Sequence, residues 1–298
     1  MEVTWQYQGQ TTILVKDFLA QHGVGSRYFR KLRQQGGKIW IDRQITTGPQ
    51  SLHSGQQVTV QFPNEKADSA VAVSQGPIEI LAETAYWLAV NKPAGLTSVP
   101  GPANRTDTVV NRVKGYLQQQ GAKDLVPHLV TRLDRFTSGI VLVAKQQLGQ
   151  NLFDTLALTK YYLAVVSGQL EAQHGMIDRP LAREAASYRY SVQTGGKSAQ
   201  TEYWVLKQWP NAALVKVQLH TGRTHQIRAH FTSLGHPLVG DELYHGPVLN
   251  GLKRQGLHAS DLLFTDPFNQ QPVHITAPVP ADLQAWQASK ISGLDSEL

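Results

Sequence analysis

The chain has 298 residues, 41% of them apolar, enough to bury a substantial core in one large unit with a small appendage. Its 28 Lys and Arg against 22 Asp and Glu give a net charge of +6, a field that attracts polyanions. The absence of cysteine excludes a disulfide scaffold, a thiolate nucleophile and a zinc ribbon built on Cys pairs.

The first ten residues, MEVTWQYQGQ, lack the basic-then-apolar profile of a signal peptide, and no stretch is apolar for the length of a membrane span. A cytoplasmic protein without membrane association is expected. Residues 1–64 hold seven Lys and Arg against three acids, a net of +4, so most of the charge excess sits in the smallest part. Val15, Phe18, Leu19 and His22 recur at the spacing of one helical face, and Gly23 to Gly25 breaks it. Ser26 is placed to cap a second helix, SRYFRKLRQQ, with Phe29 and Leu32 on its apolar face. Arg27, Arg30, Lys31 and Arg33 cover much of the rest, either as a solvated surface or as a contact for phosphates. KIWID, a turn around Thr47 to Pro49, and the alternating QVTVQF predict strands. This layout, over Thr11 to Phe62, resembles the alpha-L RNA-binding motif of a ribosomal protein, although Asp42-Arg43 stands where that family usually has an Asn-Gly turn.

The polar stretch Asn64 to Pro77 marks a linker. The expected organisation is an RNA-binding domain at 1–64, a linker at 65–77 and a larger domain at 78–298. The larger part opens with two short apolar strands, IEILAET and YWLAVNKPAG, whose Lys-Pro and Gly force an extended loop. A polar loop from Pro100 to Asp107, an amphipathic helix from Val109 to Gln119 and a buried-looking run from Ile140 to Lys145 follow. Strands and helices mix without regular alternation. The fold class expected is therefore α+β, a mainly antiparallel mixed sheet preceded by a small α/β domain.

In PHLVTRLDRFTSGIVLVAK, Asp134 lies between Arg132 and Arg135, just before a Thr-Ser-Gly turn and a buried strand. Such a carboxylate is either a structural ion-pair partner at a strand entrance or a catalytic group. RLDRFTSG with its apolar strand resembles the signature of the RluA-type pseudouridine synthases. Three further segments match in that family's order: NKPAGLTSVP at 91–100, KYYLAVVSG at 160–168, and VQLHTGRTHQIRAHFTSLGHPLVGDELY at 217–244. The resemblance spans about 78–278. Thr131 stands where many members have His, and Phe136 where an acidic residue is common. These departures bear on the branch and the RNA target.

The resemblance implies isomerisation of uridine to pseudouridine in structured RNA, ribosomal or transfer, by Asp134. The carboxylate attacks the ribose or the ring, or stabilises charge as the bond to the sugar breaks. The reaction involves no redox change and no net hydrolysis, so no cofactor and no metal are expected. A guanidinium beside the carboxylate favours its ionised form. In TGRTHQIRAHFTSLG, Thr224 is placed to cap a helix, Ile227, Phe231 and Leu234 give its apolar stripe, and Arg228 projects off that stripe. The resemblance implies that an Arg of this motif pairs with Asp134, Arg228 first and Arg223 as the other candidate. It also implies that Tyr162 stacks on the target base and that Arg132 helps hold the RNA open, with Tyr161 facing the other side of its strand. Lys92 and Pro93 shape the neighbouring loop. His220, His225, His230 and His236 lack the spacing of a zinc site. The competing reading is a noncatalytic RNA-binding protein that retained the synthase fold. A monomer is expected.

Overall fold

The computed structural model describes residues 1–292 apart from Thr47, Asp68 and Ala103. The expected turn at 47–49, the linker at 65–77 and the loop at 100–107 are thus each described less one residue, and 293–298 lie outside the described residues.

The N-terminal unit is a four-stranded antiparallel sheet in the order Glu2–Gln6, Gln57–Gln61, Lys38–Ile41, Gln44–Ile45, with helices α1 (Val15–Gln21) and α2 (Ser26–Gln34). In the strand Gln57–Gln61, Val58 and Val60 are buried and Gln57 and Gln61 exposed, the two-residue period of a half-buried strand. Ser26 does not cap α2. Gly25 takes the capping position with no side-chain bond, and Ser26 is already helical, because the chain leaves Val24 in extended conformation at Gly25. The hairpin between Lys38–Ile41 and Gln44–Ile45 turns through Asp42 and Arg43, both at positive φ, 48° and 70°. These are the conformations for which Asn-Gly is favoured. Asp42 tolerates its own because its carboxylate accepts bonds from the Gln57 amide (2.8 Å) and Gln56 Nε2 (2.7 Å).

The larger sheet has ten strands among the described residues. Its main order is His174–Asp178, Gln200–Trp209, Ala212–Leu219, Thr159–Ser167, Leu257–Thr265, Ser138–Ala144, Trp87–Lys92, Glu79–Glu83. One pairing is parallel, that of Ser138–Ala144 with Leu257–Thr265, and the rest are antiparallel. This is the α+β, mainly antiparallel mixed sheet expected from the sequence. The strand Ser138–Ala144 is buried throughout. Val141 and Val143 pack against Val109, Val113 and Leu117 of α3 (Val109–Gln119), while Leu142 and Ala144 face Phe153 and Phe264. A strand covered on both faces loses the alternation of a half-exposed one, hence its unbroken apolar run. At Gly139 (φ 111°) the parallel neighbour comes so close that a Cβ would collide with the Ala259 carbonyl.

The two units share a core. Leu148 and Leu152 of α4 (Gln147–Phe153) belong to the apolar cluster of the N-terminal unit, and Asn151 Nδ2 donates to Gly23 O at 3.0 Å. The segment joining the units is tied down at Glu65 and again at Val71 and Ala72. The Glu65 amide donates to Asp124 (2.7 Å), and its carboxylate takes the Gln147 amide (2.7 Å) and His128 Nε2 (2.5 Å). Further on, Lys114 Nζ and Asn111 Nδ2 hold the Val71 and Ala72 carbonyls. Among the described residues, no helix is long and apolar enough to cross a membrane.

Candidate active site

Asp134 sits in the loop between His128–Leu129 and Ser138–Ala144, where its carbonyl accepts from the Thr137 amide (3.1 Å) and turns the chain into the buried strand. The NKPAGLTS segment grips this loop on both sides of the carboxylate. Ser98 Oγ donates to Leu133 O (2.7 Å) and accepts from the Leu133 amide (3.1 Å). Lys92 Nζ donates to Pro93 O, Leu96 O and Arg135 O at 3.0, 2.8 and 3.0 Å. The Lys92 side chain has no exposed surface, and burial pulls its amine down to about 7. Three carbonyl acceptors oppose that pull, since only the ammonium has three N–H groups to give them.

Helix α5 (Gln226–Ser233) brings Arg228 to the other wall. Its Nη1 donates to Asp134 Oδ2 at 2.9 Å, while Nε and Nη2 grip Asp241 in a bidentate pair at 2.7 and 2.8 Å. Burial works against the Arg228 charge, but the bonds and charge of Asp241, with the charge of Asp134, more than offset it and raise its pKa. Asp241 was not singled out in the sequence. The signal was there, since an Asp inside the apolar LVGDELY run has to find a cation if it is buried. The role expected of Thr224 falls elsewhere. His225 holds the capping position in left-handed conformation (φ 56°) without a side-chain bond, and the buried Gln226 side chain closes the turn by accepting the Arg223 amide (2.9 Å) and Thr221 Oγ1 (2.8 Å).

Tyr162, on the strand Thr159–Ser167, is buried at the pocket wall. Burial first, then the Asp134 charge, raise the pKa of its phenol, which stays protonated. Tyr161 lies on the other face, with Lys216 Nζ 4.0 Å from its ring centroid. Arg132 is exposed and makes no hydrogen bond or ion pair among the described residues. Arg223 is exposed at the rim and donates through Nε to Ser198 O (2.9 Å), not to Asp134. Arg27, Arg30, Lys31 and Arg33 are exposed on α2, outside this pocket.

The pocket measures about 530 Å³, and its lining holds one carboxylate, Asp134, with five cationic residues, Arg132, Arg135, Lys160, Arg223 and Arg228. His225 Nε2 lies 3.8 Å from Asp134 Oδ2, and burial, partly countered by Asp134, lowers the His225 pKa. The other three histidines of the motif go to separate partners: His220 to Glu202, His230 to Thr201 and the Arg179 carbonyl, His236 to the Ser167 carbonyl. Among the described residues no group of three or more His, Asp or Glu is placed to hold a metal ion.

Fold and pocket together define an α+β protein whose one pocket carboxylate is held by a buried guanidinium, in surroundings that attract polyanions. The family model for RNA pseudouridylate synthase matches residues 86–233. The uncharacterised RNA pseudouridine synthase YjbO of Bacillus subtilis is 34% identical over 274 residues, 90% of this chain and 96% of that protein. Ribosomal large subunit pseudouridine synthase D of Nitrosomonas europaea is 34% identical over 83% of this chain and 75% of its own length. Human RNA pseudouridylate synthase domain containing 4 shares the fold, with a TM-score of 0.58 at 22% identity over 70% of this chain and 92% of that one. The chain belongs to the RNA pseudouridine synthase family, in the RluA-type branch to which its four motifs point, and is an isomerase acting on RNA.

Proposed function

We propose that this enzyme isomerises uridine in ribosomal RNA in the cytoplasm, with Asp134 as its catalytic carboxylate. The observation that carries the assignment of Asp134 is its 2.9 Å bond from the buried Arg228, in a pocket lined by no second carboxylate among the described residues. A glycosidase-type hydrolysis works with a pair of carboxylates, one as acid and one as base or nucleophile. Isomerisation needs one. The bond from the ribose to the ring nitrogen breaks, the uracil turns while bound, and its carbon 5 joins the sugar and then gives up its proton to solvent, while the freed ring nitrogen takes a proton up.

Each residue has a distinct part in this reading. Arg228 holds Asp134 through its 2.9 Å bond and so orients the carboxylate toward the ribose or the ring. Tyr162 stacks on the uracil as a neutral ring and keeps it from leaving. The target nucleotide must be extruded from its surroundings at a cost of a few kcal/mol, and Arg132, which makes no hydrogen bond or ion pair among the described residues, stacks or bonds where the base has left. Arg223 meets phosphate at the rim. Residues 1–64 form an RNA-binding domain whose α2 residues Arg27, Arg30, Lys31 and Arg33 add phosphate contacts, and 78–298 form the catalytic domain. Relatives named ribosomal large subunit pseudouridine synthase D support ribosomal RNA as the substrate class.

Asp134→Asn preserves shape and removes the charge. Release of tritium from carbon-5-labelled uridine in ribosomal RNA is expected to vanish while the melting temperature stays near that of the parent. Near-normal turnover by the variant removes Asp134 from the reaction.

A further inference from the structure

We propose that Phe136, with the guanidinium of Arg135 against its ring, is a stacking subsite for an unpaired base next to the target uridine; this rests on the reading of Asp134 as the catalytic carboxylate. The ring stands two residues after Asp134, a span of at most about 7 Å along the chain. It is 45% exposed and belongs to none of the apolar clusters that hold the fold together. The Arg135 guanidinium carbon lies 5.1 Å from the ring centroid, and Arg135 itself lines the catalytic pocket.

An isolated exposed apolar side chain is ordinary on a protein surface. Phe136 differs because its backbone is fixed from every side. The Phe136 carbonyl accepts from Arg254 Nη1 (3.1 Å), and the Arg135 carbonyl accepts from Lys92 Nζ (3.0 Å) and the Gly95 amide (2.8 Å). Arg135 Nε donates back to Gly95 O (3.1 Å), and the Thr137 amide closes the turn on Asp134 O. The fold thus fixes the backbone under an aromatic ring, between two residues that line the pocket, Arg135 and Thr137, while leaving the ring open to water. A backbone fixed before binding leaves only the side-chain torsions to be ordered on binding.

Extruding the uridine strips each neighbouring nucleotide of one stacking partner. An aromatic face beside a cation is the surface that replaces it, because every base has a π-face to offer and a guanidinium attracts the phosphate that follows. A phenyl ring with a guanidinium beside it therefore gives this chain a grip on a flanking nucleotide.

Phe136→Leu and Phe136→Tyr separate stacking from simple apolar contact. The first probe is a single-stranded nonamer of uridine carrying one 2-aminopurine, whose fluorescence falls when the base stacks. The parent enzyme and Phe136→Tyr are expected to quench it, and Phe136→Leu to lose the quench and bind roughly tenfold more weakly. The salt dependence of binding stays unchanged, since no phosphate contact is removed. The second probe is a large-subunit ribosomal RNA transcript with carbon-5 tritiated uridine. There Phe136→Leu raises KM by a similar factor and leaves kcat within about twofold. Parent-like affinity and quench in Phe136→Leu, or a loss confined to kcat, overturns the subsite. Should the parent release no tritium at all, the isomerase reading of the site fails, and the fluorescence arm still decides the stacking.

Discussion

Arg228 faces two carboxylates with unequal claims on it. Asp241 takes two of its nitrogens and is 1% exposed, whereas Asp134 takes one and keeps a quarter of its side chain open to the pocket. Asp241 therefore fixes the guanidinium, and Asp134 is aligned by a group whose position is already determined. This makes Asp241 a positioning residue. Asp241→Asn is expected to cost about 3 kcal/mol, since it leaves a buried cation with half its partner. Its kcat falls at least about tenfold with KM little changed, as expected when an interaction expressed in the transition state is lost. A paired variant, Arg228→Met with Asp241→Leu, separates structure from function, because well-packed apolar residues commonly replace a buried ion pair without loss of stability. The melting temperature should recover and kcat should not. Recovery of both would leave the pair no part in catalysis.

At the scale of elements, the site is a junction of three segments: the Asp134 loop, the start of α5, and the NKPAGLTS segment that clamps the loop. Lys92→Met fills a similar volume but leaves three carbonyls short of a donor, at an expected cost of about 2–4 kcal/mol. Hydrogen exchange at the Gly95 and Thr137 amides, which close the loop, should accelerate well beyond the change in global stability. Protection unchanged at both amides would mean that Lys92 does not brace the loop. Helix α3 was legible to the residue, because Val109, Val113 and Leu117 repeat at helical spacing and Thr108 with Asn111 forms a capping box. The starts of α2 and α5 were misjudged at Ser26 and Thr224, since a hydroxyl at a helix start is a local preference that a Gly turn or the buried Gln226 overrides. The same limit applies to the site. Motif order brought Asp134, Tyr162 and Arg228 to notice, but that Asp241 shares Arg228 with Asp134, and that Lys92 reaches Arg135 O, depends on contacts across 13 and 43 residues.

On the scale of the whole molecule, the charge of the N-terminal unit matters only if that unit is held at a fixed place relative to the pocket. Leu148 and Leu152 within its core, and Glu65 between His128 and the start of α4, supply that fixation. Burial pushes the Glu65 carboxyl up, but its bonds from His128 and the Gln147 amide outweigh this and hold it below the ordinary 4.5. A depressed carboxylate contributes stability above its unfolded value and loses it as pH falls through the folded one, so the junction loosens in acid, below about pH 4.5. Deleting residues 1–64 is therefore a poor test of RNA binding, because it uncovers Leu148 and Leu152 as well as removing cations. Arg27→Gln with Arg30→Gln removes charge alone, since both side chains are exposed on α2 and take no part in the core. If each arginine neutralises one phosphate, the slope of log affinity against log salt becomes shallower by about 1.4 for single-stranded contacts or 1.8 for duplex ones. Affinity for a large-subunit ribosomal RNA transcript should fall at low salt and converge on the parent's as salt rises, with kcat at saturating RNA unchanged. An unaltered slope would show that α2 points its charge at solvent, and that the placement of RNA belongs to the catalytic domain alone.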